Sequence, residues 1–157
     1  APENGTIDGQ DDFDPSKTVV GYTPGTIWQT TVEGWAADGK IKEARATGDQ
    51  TESIVALQNG KIDAFLTDSP VVENLMKFQP ETLKGLKLCS NYKDTEAEIG
   101  RIAPSVKFGN EDFMKDINKV VAEMRDEGVL DQIYEKYGLD PKLHAITNDQ
   151  KDNGLNK

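Results

Sequence analysis

The stretch KIDAFLTDSP, residues 61 to 70, reads as a strand that runs straight into a helix. Its apolar run of Ile62, Ala64, Phe65 and Leu66 has the composition of a strand covered on both faces. Asp68 stands where the strand should end. Ser69-Pro70 then opens SPVVENLMKF with proline in the first helical turn, where a missing N–H costs nothing. A strand buried on both sides needs helices above and below it, and the neighbouring sequence supplies them.

Upstream, KTVVGYT (17–23) is a β-branched strand candidate, and PGT breaks it. TIWQTTVEGWAADG follows, with Ile27, Thr31, Val32 and Trp35 near helical spacing and Gly39 as the stop. KIKEARAT (40–47) alternates like a half-exposed strand. GDQTESIVALQNG (48–60) offers a cap at Asp49, Glu52 three residues on, an apolar face of Ile54, Val55 and Leu57, and a closing Gly60. Downstream, 84–91 and 98–104 are short strand candidates. Two amphipathic helices follow, one with a stripe of Phe113, Ile117, Val120, Val121 and Met124, the other with Val129, Leu130, Ile133 and Tyr134.

Strands alternating with helices predict an α/β fold: a doubly wound, mostly parallel five-stranded sheet flanked by helices, with two C-terminal helices. The expected divisions are a flexible N-terminal segment (1–16), an α/β lobe (17–104), a helical segment (105–139) and a polar tail (140–157).

The chain has 157 residues, enough for one domain with a real core. No apolar run approaches the ~20 residues that cross a bilayer. The start has neither a basic nor an apolar leader region, as expected of a chain that is not exported or of a mature or excised segment. A net charge of −10, from 28 acidic and 18 basic residues, argues against nucleic acid and against an anionic membrane surface. Cys89 is the only cysteine, so no disulfide forms within the chain.

In such sheets ligands sit beyond the carboxyl ends of the strands, where the strand order reverses. That rule selects Pro24-Gly25-Thr26 after the first strand and Asp68-Ser69 after the third. In a second–first–third order these strands are neighbours ~5 Å apart, and the two loops face one small ligand together. Gly25-Thr26 leads into a helix whose free N–H groups and dipole suit a carboxylate or a single phosphate, with the Thr26 hydroxyl as a further donor. Ionised, Asp68 only accepts, and an ammonium group is its natural external partner. By itself Thr26 is better read as a plain helix cap, and Asp68 is equally well read as one. Together they make an anion site beside a cation acceptor, the pair an amino-acid backbone presents. Trp28, next to the Gly25 turn, borders the same place, while Trp35 reads as core.

Enzymatic alternatives find little support. His144 is the only histidine and lies in the polar tail, which removes histidine triads and multi-histidine metal sites. The nucleophile elbow, the P-loop and the dinucleotide fingerprint do not occur. DGQDDFD and DQKDNG resemble calcium loops but lack required positions. The chain is expected not to be an enzyme and to need no cofactor or metal.

TVVGYTPGTIWQ, ESIVALQNGKIDAFLTDSPVVENLM and FMKDINKVVAEMRDEGVLDQIYEKYG together resemble the amino-acid-type, family 3 solute-binding proteins of bacterial ABC importers, from about Lys17 to Gly138. The resemblance implies that Thr26 and the amide of Ile27, following Gly25, hold a ligand's α-carboxylate and that Asp68 takes its α-ammonium group. It further implies a periplasmic or extracellular place, with a possible membrane anchor in the intact protein, and a membrane permease as partner. The resemblance begins at the entry to the family's second lobe. It therefore implies a one-lobe form that binds weakly alone and lacks a first lobe; separately, the apolar stripe of Phe113, Ile117, Val121 and Met124 is expected to find cover by exchange of the C-terminal helices in a homo-oligomer. An extracellular sensing domain of a receptor or kinase is the alternative.

Overall fold

The computed structural model describes residues 1–93 and 104–144. The chain divides into two compact units, Ala1–Gly100 and Arg101–Lys157.

The first unit is built around three parallel strands, β1 (Val19–Tyr22), β2 (Glu43–Ala46) and β3 (Ala64–Phe65), in the order β2-β1-β3. Helices α1 (Ile27–Ala37) and α2 (Gln50–Gln58) form the crossovers, and α3 (Ser69–Phe78) follows β3. Alternation along β1 sends Val20 and Tyr22 to one face, where they pack with Val32 and Trp35 of α1, with Ile41 and with Ala64. Val19 and Phe65 point to the other face, against Ala56 and Leu57 of α2 and against Ile62. Both faces are therefore covered, as the apolar composition of the central strands requires. The first–third strand adjacency expected from the sequence is present in the sheet.

Local signals behave as their chemistry dictates. The Asp49 side chain accepts the Glu52 amide at 2.8 Å, and the Glu52 carboxylate reaches back to the Gly48 amide at 2.7 Å. Gly39 and Gly60, at φ 68° and 64°, follow the ends of α1 and α2. The β3 strand is shorter than IDAFLTD suggests, and at its start the Asp63 carboxylate itself accepts the Val19 amide at 2.8 Å. That side chain takes the place of a ladder carbonyl.

The described sheet has three strands, not five. The 84–91 segment expected as a strand makes no ladder with β1–β3 and forms only a single antiparallel bridge, Pro2 with Leu86. Its backbone groups are satisfied instead by the N-terminal residues: Glu3 N–H donates to Gly85 O, Lys87 N–H to Ala1 O, and Asn91 N–H to Asp8 O, at 2.8 to 2.9 Å. The other expected strand, 98–104, lies outside the described residues except for Pro104.

The same bonds correct the expectation of a flexible lead-in over 1–16. Ile7 and Phe13 pack against the first core cluster, and Phe13 meets Trp35 edge-on with ring centroids 5.3 Å apart. Asp8 accepts from the Ser90 hydroxyl (2.7 Å), the Ser90 amide (3.1 Å) and the Asn91 side chain (2.9 Å). A Cβ on Gly9 would stand 2.6 Å from the Asn91 carbonyl oxygen, so the close approach of the two segments requires glycine.

The second unit contains α4 (Glu111–Asp126), α5 (Val129–Lys136) and a short α6 (Pro141–His144). Gly128, at φ 73°, makes the left-handed turn between α4 and α5. Neither helix buries a residue fully: Phe113 is 58% exposed and Val120 52%. Beyond His144 the expected polar tail lies outside the described residues. No described helix is long and apolar enough to cross a membrane.

Candidate ligand site at the strand ends

The carboxyl ends of β1 and β3 open onto two helix starts. After Tyr22 the chain turns through Gly25, at φ 80°, and enters α1 with Thr26 at the N-cap. Only glycine adopts that backbone without strain, and a Cβ there would meet nothing within 4 Å, so the turn faces open space. Among the described residues the amides of Ile27 and Trp28 have no hydrogen-bond partner; the Gln29 amide is taken by the Thr26 carbonyl at 3.2 Å. Two free donors at the positive end of a helix dipole suit a small anion.

The Thr26 side chain does not cap α1. Its hydroxyl donates to the Thr23 carbonyl at 2.7 Å and closes the turn. As it stands, this bond occupies the hydroxyl hydrogen that would serve a ligand, leaving the backbone amides as the available donors. Ile27, 54% exposed, leaves its amide among the free donors.

Asp68 occupies the N-cap position of α3 without a side-chain cap bond. The reason is local. An N-cap side chain accepts from the second or third helical amide. Here the second helical residue is Pro70, which has no N–H, and the Val71 amide is already held by the Asp68 carbonyl at 3.2 Å. The exposed carboxylate instead accepts the indole N–H of Trp28 at 3.0 Å on Oδ1. This bond joins the two loops across the β1–β3 junction. Gly25, Thr26, Ile27, Trp28 and Asp68 thus line one edge of the first unit, with the indole bridging the two halves.

Sequence reasoning did not find the residues that brace the turn. Gln29 accepts the Gly25 amide at 3.0 Å and donates to the Glu33 carboxylate at 3.0 Å; Glu33 in turn accepts the Tyr22 hydroxyl at 2.6 Å. The Tyr22 phenol is pushed above its ordinary pKa, first by the bond to Glu33, then by burial and by the carboxylate's charge. The chain of bonds runs from the buried end of β1 to the exposed glycine. The available signal was the i, i+4 spacing of Gln29 and Glu33 on α1, with Gly25 four residues before Gln29 in the turn. Beneath the neighbouring loop, Thr47 and Ser53 are buried with their hydroxyl oxygens 2.5 Å apart, and the Thr47 hydroxyl lies 3.0 Å from the Tyr22 carbonyl. They tie the ends of β1 and β2 to α2.

Comparison with known proteins identifies the family. Residues 16–140 match the family model described as bacterial extracellular solute-binding proteins, family 3. A probable histidine-binding protein of Campylobacter jejuni is 25% identical over 87% of this chain and 49% of its own length. The L-cystine-binding protein TcyJ of Escherichia coli (strain K12) is 28% identical over 85% of this chain and 46% of its own. Among solved structures, an ancestral arginine-binding protein bound to arginine superposes with a TM-score of 0.58 at 27% identity, covering 85% of this chain and 55% of that one. An ancestral arginine-binding protein bound to glutamine gives 0.56 at 27% identity, over 86% and 55%. The chain spans about half the length of the curated relatives it matches. With a parallel sheet flanked by helices and a family match over most of its residues, the chain belongs to the bacterial extracellular solute-binding proteins of family 3.

Proposed function

We propose that this chain binds a small amino-acid-like solute at the β1–β3 junction, for delivery to a membrane permease outside the cytoplasm. The observation that carries the reading is the pairing of two free helix-start amides, at Ile27 and Trp28, with the uncapped carboxylate of Asp68. The amides donate to an α-carboxylate and Asp68 accepts from an α-ammonium group, the two charges every free amino acid presents. The names of the relatives, which bind histidine, cystine, arginine or glutamine, support the same substrate class.

The contacts lie on an open surface. Gly25, Thr26, Ile27 and Asp68 are all exposed, and an exposed ion pair contributes only ~0–1 kcal/mol. The 157 residues alone therefore bind weakly, with a dissociation constant near or above about 1 mM. Tight binding needs a second surface that closes over the ligand and removes water.

The test is a titration of the ¹⁵N-labelled chain with L-arginine, L-glutamine and L-histidine, read by amide chemical shifts. Shifts concentrated at 25–28 and 68, abolished by Asp68→Ala, support the site. Saturation with no shift at these amides excludes it. Micromolar affinity for any of the three would overturn the weak, one-sided form of the proposal.

A further inference from the structure

Asp68 is held by an indole from another helix although its own helix start is beside it. The cap position gives it no acceptable donor, since Pro70 lacks an N–H and the Val71 amide is satisfied by the backbone. A free carboxylate on an exposed loop samples several rotamers, and its ammonium-binding lone pairs have no set direction. Here one oxygen, Oδ1, is engaged by Trp28 at 3.0 Å, and Oδ2 has no partner among the described residues. Trp28 is rooted in the first turn of α1, whose preceding glycine is braced by Gln29 and Glu33.

We propose that Trp28 is a positioning residue for the ammonium contact: its indole N–H fixes the Asp68 carboxylate so that Oδ2 is presented to the ligand. This rests on the amino-acid reading of the site and deepens it by giving the acid a partner that never touches the ammonium group itself. The same indole belongs to the helix start that offers the anion donors. A single residue therefore sets the spacing between the donors for the ligand's carboxylate and the acceptor for its ammonium group. The arrangement selects for a free α-amino acid over the same molecule without its amine.

The experiment uses the full chain and two ligand pairs: L-arginine with 5-guanidinopentanoate, and L-glutamine with glutaramate, each second member lacking only the α-amine. Indole N–H resonances supply a direct readout, because Trp28 and the buried Trp35 are the only tryptophans and Trp35 serves as an internal reference. Asp68→Ala is expected to move the Trp28 indole resonance and leave that of Trp35 in place. Trp28→Phe keeps a ring and removes the donor. It is expected to weaken binding of the amino acids about two- to fivefold while leaving affinity for the amine-free analogues unchanged. Equal loss for both members of a pair would make Trp28 a mere wall of the site and overturn the positioning role. So would an unmoved Trp28 indole resonance in Asp68→Ala, which needs no ligand and so holds even if a variant binds poorly. If neither wild-type amino acid shifts the loop amides, the amino-acid reading fails and the positioning role falls with it; a failure confined to the variants removes the positioning role alone.

Discussion

The two units use the same kinds of apolar residue and reach opposite outcomes. In the first, Val20, Val32 and Ile62 are essentially fully buried, because strand alternation splits the apolar residues of β1 between two faces and each face meets a crossover helix. In the second, the regular stripe on α4 leaves Phe113 and Val120 more than half exposed. A sheet with helices on both sides closes its own core through chain connectivity. A helix hairpin has only one neighbour to cover a stripe, and periodicity announces such a stripe without saying what covers it.

Substitutions that probe the two units should therefore differ widely in effect. Ile62→Ala, which empties a fully buried site between β3 and α2, is expected to lower unfolding stability by about 2–5 kcal/mol in urea titration. A loss below about 1 kcal/mol would mean that this core relaxes freely. Gly9→Ala sets a Cβ against the Asn91 backbone and is expected to cost about 1–3 kcal/mol, with faster amide exchange at 85–91. Unchanged exchange there would show that the N-terminal segment does not brace that stretch. Thr47→Val removes a buried hydroxyl from the Ser53–Tyr22 junction and should cost about 1–2 kcal/mol by the same titration.

Acid should act on the same brace more gently. The Ser90 hydroxyl and amide, and then Lys87, hold the Asp8 carboxyl below its ordinary pKa, which means the folded form favours the ionised group. Its contribution is complete above the ordinary aspartate value and is lost as pH falls through the lowered one, in the range below pH ~4. The Ser90 amide resonance, followed through that range, should titrate with a midpoint below that of free aspartate; a midpoint at or above it contradicts the assignment. The smallest effect belongs to the helical unit: Phe113→Ser is expected to change stability by less than about 0.5 kcal/mol. A larger loss would show that the exposed stripe is covered in solution, and would narrow the contrast between the units.

Much of the first unit was legible because its signals are local. The Asp49–Glu52 cap, the glycines at 39 and 60, Pro70 in the first turn of α3 and the two-sided burial of the stretch around β3 each depend on a few consecutive residues. The N-terminal segment was misread for the same reason: a polar composition masks Ile7 and Phe13, and their partners stand far along the chain. The 84–91 stretch has strand composition, but its backbone partners are residues 1–8, over 80 positions away.

By itself the sequence determined the alternation of strands and helices, and it marked the two loops that a second–first–third order, present in the sheet, brings to one edge. Local propensity, capping and the handedness of crossovers act over short spans, and a linear reading captures them. Only the tertiary structure decided what the charged group at the site does. Trp28 and Asp68 are 40 residues apart, and nothing in either neighbourhood foretells the bond between them. Asp68 is released from capping by a proline and a satisfied amide, and is then taken up by an indole that the sheet order brings within 3.0 Å. A hydrogen bond between side chains depends on direction as well as proximity, and direction is settled only once the elements have packed.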